Sequence, residues 1–359
     1  MTSTFGKNIK TTIFGSSHQA YMGLVIDGLD LGFKIDMDKL NDFLQRRAPG
    51  RSSLTTKRKE DDRPIFIQGI KNDTIVSETV ACIFKNSDTR SKYYEIFRDK
   101  PRPGHADYVS MIKYKGKLDM DGSGPFSGRL TAPLCLAGGI CKQILEQKNI
   151  EIAARIKSIG SIEDDEVDFV NPDIKALKEI AFKDIPVISA EKEKKMRALI
   201  EKVKKEKDSI GASVEVFAKN LPQGLGNPNY DTFEGRISSL AFSIPACRGI
   251  EFGSGFNSTR MKGSENNDQF IMENGKIKTK TNWAGGVVGG ITNGMPLVFR
   301  LAFKPTPSIG KLQETVSIKN KENTSLEIKG RHDPCLALRT PPIAEAITAL
   351  TILDFMGDL

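Results

Sequence analysis

GRLTAPLCLAGGICKQILEQ, residues 128–147, is the stretch on which the fold turns. Its middle is almost wholly apolar. A helix without a polar stripe has nothing to offer solvent, so this one is expected to be buried on all sides. Pro133 fits best in its first turn, where the missing N–H costs little. Working outward, residues 36–47 (DMDKLNDFLQRR) read as a short amphipathic helix capped by Asp36 or Asp38. Residues 188–208 form a charged helix with a stripe of Met196, Leu199, Ile200 and Val203, read as a solvated surface helix. Residues 231–244 and 342–356 give two more helices. Strands are expected near 23–26, 65–69, 80–84, 213–217 and 297–303. Helices and strands do not alternate as βαβ units, which argues for an α+β fold over a doubly wound parallel sheet. No Pro- or Ser-rich linker divides the chain, so residues 1–359 are expected to form a single domain.

Composition narrows the function classes. Of the 359 residues, 38% are hydrophobic and 27% charged, as in a water-soluble globular protein. There is no apolar run of membrane-spanning length and no secretory h-region at the N-terminus, so the expected location is the cytoplasm. The five cysteines (Cys82, Cys135, Cys141, Cys247, Cys335) are scattered without C-x-x-C spacing and read as reduced interior thiols. No H-x-x-x-H or H-E-x-x-H spacing suggests a metal. The net charge of +8 implies an anionic partner. RRAPGRSSLTTKRK would suit nucleic acid, but aromatics for base stacking are scarce at 7%, so no nucleic-acid partner is expected.

The chemistry concentrates in glycine-rich turns. All three histidines lie among Gly, Pro, Asp and Arg: His18 in GSSHQ, His105 in RPGHAD, His332 in GRHDPC. Such turns bring backbones close to ligands, and imidazole exchanges protons near neutral pH. Arginines gather in or near the same turns: Arg46, Arg47, Arg51, Arg58, Arg102, Arg129, Arg331 and Arg339. Guanidinium forks match carboxylate and phosphate oxygens in pairs. The pattern points to a small polyanion, with about half of these arginines expected to be plain surface groups. WAGGVVGGITNG has neither the Rossmann nor the P-loop order. KPTPSI offers a lysine and two hydroxyls on a stiff turn that could take a phosphate.

FGSSHQ, RPGHAD, GSENND, GGVVGGITNG, FKPTPSI and GRHDPC, in this order along nearly the whole chain, resemble the chorismate synthase family. The resemblance implies anti-1,4-elimination of phosphate from 5-enolpyruvylshikimate-3-phosphate to give chorismate, in aromatic amino acid biosynthesis. It implies reduced FMN as cofactor, a homotetramer, and a pseudo-symmetric fold with a helical layer between antiparallel sheets. By position it places His18 at the phosphate and His105 at the flavin's pyrimidine edge. Asp333 becomes a candidate base or relay, with Ser17 and Ser127 supporting the proton network. Arg47, Arg58, Arg102, Arg129 and Arg339 become substrate ligands. Ser127, Ala246, Gly289, Lys304, Pro305, Thr306, Pro307, Ser308 and Arg331 become FMN ligands, and His332 a structural hydrogen-bonding group. Some members of the family reduce their flavin with NADPH. Without a dinucleotide fingerprint here, an external flavin reductase is the expected source.

The chain departs from the family pattern in places. Ser16 and Gln19 replace the glutamate and the glycine of FGESHG. Ala48 breaks the RRRPG run, Ser53 replaces an arginine, and Arg51 is extra. The common GRSSARET is GPFSGRLT, with Pro125, Phe126 and Leu130 in place of polar residues.

Overall fold

The computed structural model describes residues 3–56, 58, 60–87, 94–328 and 333–358. The helix expected at 128–147 runs from Thr131 to Gln147, after a 3-10 turn at Gly128–Leu130. Nearly all of it is buried, with Pro133 in its first turn. It packs on the C-terminal helix Pro341–Met356, which opens on two prolines and is buried on every face. The two backbones touch at Gly138, where a Cβ would lie 2.3 Å from the Ala346 Cα. Buried hydroxyls on the C-terminal helix are satisfied locally: Thr348 and Thr351 donate to carbonyls one turn back.

A five-stranded antiparallel sheet lies on each side of this helical layer. The first orders Thr4–Phe5, Lys10–Gly15, Tyr21–Asp27, Thr79–Lys85 and Ile65–Gln68. The second orders Cys247–Phe252, Leu297–Phe303, Ala212–Lys219, Glu151–Ile159 and Ile162–Glu163. Apolar faces of both sheets and both helices share one core. Each half of the chain lays down one sheet and then a buried helix, which is the pseudo-symmetric α+β arrangement expected.

Strands Lys10–Gly15, Glu151–Ile159 and Cys247–Phe252 were not anticipated. Glu151–Ile159 hides its nature because Arg155 and Lys157 break the apolar run while lying buried. Arg155 is fully covered and paired with Glu215 and Asp164. The helix Ala190–Lys205 buries Met196, Ile200 and Val203 and exposes its charges, as expected. All five cysteines are free and buried. Among the described residues no helix is long and apolar enough to cross a membrane.

Candidate active site

The turn after Lys10–Gly15 carries Ser17 and His18. Asn86 Nδ2 pins it by donating to the carbonyls of Ser16 (3.0 Å) and Gln19 (2.7 Å). Ser17 is fully buried, and its hydroxyl donates to the Gly122 carbonyl at 2.7 Å. That spends its only proton. His18 Nδ1, 3.2 Å from the same oxygen, must then be the donor, leaving Nε2 outward for chemistry. Tyr94 meets the ring edge-on at 4.9 Å. Burial, then the nearby Arg58, pull the His18 pKa below its usual value, against Asp121, Asp119 and Glu60.

The arginines arrive from four segments of the chain. Helix Met37–Arg47 ends in two adjacent arginines that diverge. Arg46 reaches Glu345 at 2.5 Å, away from the site, and Arg51 bonds the Phe182 carbonyl. Arg47 is buried and pairs with Asp62, and its Nε has no partner among the described residues. Arg129, from the turn capped by Ser127, takes the other oxygen of Asp62 and also donates to Asn86 Oδ1 (3.2 Å) and the Lys85 carbonyl (3.3 Å). Burial and the other arginines hold Arg47 well below its usual pKa. Burial brings Arg129 down to about 10. Arg58 pairs with Glu60 at 2.6 Å and lies 3.4 Å from the Ser17 carbonyl. Burial opposes ionisation of Glu60, but the Ser87 N–H and Arg58 hold its carboxyl below the usual range. Arg339 donates to the Arg47 carbonyl (2.9 Å) and to Asp333 Oδ2 (3.1 Å). Asp333 Oδ1 accepts from the Thr56 N–H at 2.7 Å.

RPGHAD, residues 102–107, builds a second cluster. Arg102 grips Asp107 with both prongs at 2.7 Å. His105 Nδ1 lies 2.8 Å from Asp107 Oδ1 and 3.2 Å from Arg102 Nη2. The shorter contact to an anion makes Nδ1 a donor to Asp107 and frees Nε2. Burial works against Asp107, but Arg102 and His105 hold its carboxyl far below the carboxylate range. Arg102 lies 4.3 Å over Phe97 and reaches Ser308 Oγ and Ser123 Oγ, each at 3.3 Å. Its fork, like those of Arg47 and Arg129, has partners within the protein.

The Lys304–Ser308 stretch leaves strand Leu297–Phe303 beside Ala246, whose carbonyl accepts the Lys304 N–H at 3.0 Å. Lys304 Nζ donates to the Gly104 carbonyl at 2.6 Å, and Ser209 Oγ to the Thr306 carbonyl at 2.7 Å. Thr306 Oγ1 is buried without a partner among the described residues. Gly289 does not join this group. Its hairpin lies by Phe233, at the Leu297 end of the seven-residue strand whose far end leads to Lys304. Arg331 and His332 lie outside the described residues.

Hydrogen bonds and short runs of the chain together close a ring through several of these segments. It runs from Ser17 to residues 122–123, Arg102, Ser308, Thr306, residues 209–210, Pro334, Asp333, Thr56 and Arg58, and back to Ser17. Three turns remote in sequence are thereby brought together. A cavity of about 240 Å³ meets the ring only at Arg102; Tyr94, Phe97, Asp107 and residues 116–121 line it, and His18, His105 and Asp333 do not. Among the described residues no cluster of His, Cys, Asp and Glu is arranged to hold a metal. Glu60, Asp62, Asn86, Asp107 and Gly122 were missed in the sequence. The acidic KEDD run behind Arg58 was the one signal for the first two.

The family model described as chorismate synthase matches residues 9–356. Chorismate synthases of Korarchaeum cryptofilum and Pyrococcus abyssi are each 42% identical over 352 residues, covering 98% of this chain and 96% of theirs. That of Chitinophaga pinensis is 43% identical over 354 residues, covering 99% of this chain and 96% of its own. A crystal structure of chorismate synthase superposes with TM-score 0.77 over 98% of this chain and 93% of that one, at 24% identity, a likeness of fold. By sequence over almost its entire length, this chain belongs to the chorismate synthase family.

Proposed function

We propose that the protein is a carbon–oxygen lyase that converts 5-enolpyruvylshikimate-3-phosphate to chorismate and phosphate. The observation that carries this reading is the closed ring joining Ser17–His18, Arg102–His105–Asp107 and Asp333–Arg339. In the reaction a ring carbon loses a proton, the existing double bond shifts, and the opposite carbon–oxygen bond breaks as phosphate leaves with the electron pair. Nothing is oxidised or reduced overall.

The substrate carries roughly four negative charges. Arg47, Arg58, Arg129 and Arg339 bind and orient it, and the unpartnered Nε of Arg47 marks where an acceptor is wanted. His18 is kept neutral by burial and Arg58 in the free protein. An arriving phosphate dianion reverses that bias, so His18 gains a proton at Nε2 and donates it to the departing oxygen. Asp333, held by Thr56 and Arg339, is the group offered for the ring proton.

Reduced FMN, when bound, supplies electron density to the breaking bond and regains it afterwards. Its phosphate fits the Lys304–Ser308 turn, where Thr306 Oγ1 is buried and unbonded and a lysine and Ser308 stand close by. Ala246, Pro305, Pro307, Ser127 and Arg331 would complete the proposed flavin set, and His105 would offer Nε2 to the bound flavin. Gly289, remote within one chain, fits this set only if another subunit presents it.

Assembly as a homotetramer is part of this reading. The outer face of the first sheet exposes Phe14, Tyr21, Ile65 and Ile67, an apolar surface suited to a second copy. Residues 1–359 act as one domain in the cytoplasm, and an external reductase supplies the flavin. The test is an anaerobic assay with dithionite-reduced FMN and the phosphate ester. Chorismate should accumulate with enzyme. Its absence under those conditions would refute the assignment.

A further inference from the structure

Residues 204–210, where the lysine-rich helix ends, touch three loops far apart in sequence. Lys204 Nζ donates to the Ser53 carbonyl at 2.6 Å, within the loop between Arg47 and Arg58. The Lys207 carbonyl accepts the Gly310 N–H at 2.9 Å, and Asp208 pairs with Lys311 at 2.7 Å. Ser209 Oγ holds the Thr306 carbonyl at 2.7 Å. The Ile210 N–H donates to the Pro334 carbonyl at 2.8 Å, next to Asp333.

We propose that this segment is a bracket that sets the three ligand-binding loops relative to one another, with Ser209 as the positioning residue for the flavin-phosphate turn. Pro305 and Pro307 flank Thr306 and contribute no N–H, so the turn has few bonds of its own with which to fix itself. Ser209 supplies the missing anchor from outside. It is itself fixed, because its N–H donates to Asp208 Oδ1 at 2.8 Å and Asp208 is tied to Lys311. With its carbonyl held, Thr306 keeps its buried, unbonded Oγ1 in one place. A bracket on the far side of the turn from the chemistry accounts for a conformation that the turn's own sequence cannot enforce.

This inference rests on the proposed FMN site. The experiment titrates FMN by fluorescence quenching into wild type, Ser209→Ala and Ser209→Thr, and measures anaerobic kinetics on all three. Loss of one hydrogen bond should weaken FMN binding about five-fold in Ser209→Ala. Turnover at saturating FMN and the KM for the phosphate ester should stay at wild-type values, and Ser209→Thr should restore FMN affinity. If wild type binds FMN and Ser209→Ala binds it equally well, the bracket role is wrong while the functional reading stands. Parallel losses in kcat and both KM values, unrescued by threonine, would also overturn it, as would wild-type protein that binds no FMN, which sinks both readings.

Discussion

Arg47 and Arg129 grip the two oxygens of one buried carboxylate, that of Asp62. Asp62 is the counter-ion the two buried guanidinium groups share, and Arg129 has Glu60 as a second at 3.7 Å. Asp62→Ala should therefore destabilise the fold by about 3–5 kcal/mol, the usual result of stranding a buried charge. Urea unfolding measures it. A loss below about 1 kcal/mol, as for an exposed pair, would show that the cluster is solvated.

Gly122 is a positioning element for His18. Its φ is +63°, and a Cβ there would fall 1.5 Å from His18 Nδ1. Gly122→Ala should push the imidazole off Ser17 and cost about 10²–10⁴-fold in kcat, the range for a lost proton-transfer group. Steady-state anaerobic kinetics decide it, with circular dichroism to verify folding. Wild-type turnover would mean that His18 is not used where it stands.

Asp107 should act through His105. Asp107→Asn keeps the shape but weakens the hold on Nδ1–H, so turnover should fall by about 10- to 10⁴-fold. His105→Ala should fall in the same range. The double variant should be little worse than His105→Ala alone, because the two residues work as a unit. Multiplicative losses in the double variant would separate their roles.

The depressed pKa of His18 also makes stability depend on pH. The unfolded imidazole, near 6.5, binds protons that the folded one refuses. This group therefore costs nothing above that value and penalises folding as pH falls below it, down to the folded pKa. His18→Gln should show a shallower loss of Tm between neutral and mildly acidic pH than wild type. An unchanged or steeper slope would place the folded pKa at or above the ordinary one.

Much of the fold was readable because long apolar periods survive in sequence. The helix at 131–147 has an almost wholly apolar middle, and Leu297–Phe303 is apolar except for Arg300. Glu151–Ile159 was unreadable because Arg155 and Lys157 look like surface residues until Glu215, Asp164 and Glu166 are folded against them. The site divides in the same way. Histidines and arginines in glycine turns announce ligand chemistry, and the ring links Ser17, next to His18, with Arg102, which His105 contacts, and with Asp333. Which arginine faces inward is decided by carboxylates from elsewhere. Asp62 selects Arg47, while Glu345, nearly 300 residues away, draws its neighbour Arg46 into a different buried pair. Sequence spacing holds no record of that choice. Gly289 shows the converse limit, a residue placed by resemblance that a single chain keeps at the far end of a strand from Lys304.

If three remote turns make one ligand site, a crystal structure of the anaerobic complex with reduced FMN and the phosphate ester will show both ligands within it. The account predicts the ester phosphate within about 3 Å of His18 Nε2 and the flavin ring between His105 and Asp333. Clear density for either ligand outside the ring, with His18 and His105 both facing solvent, would contradict it.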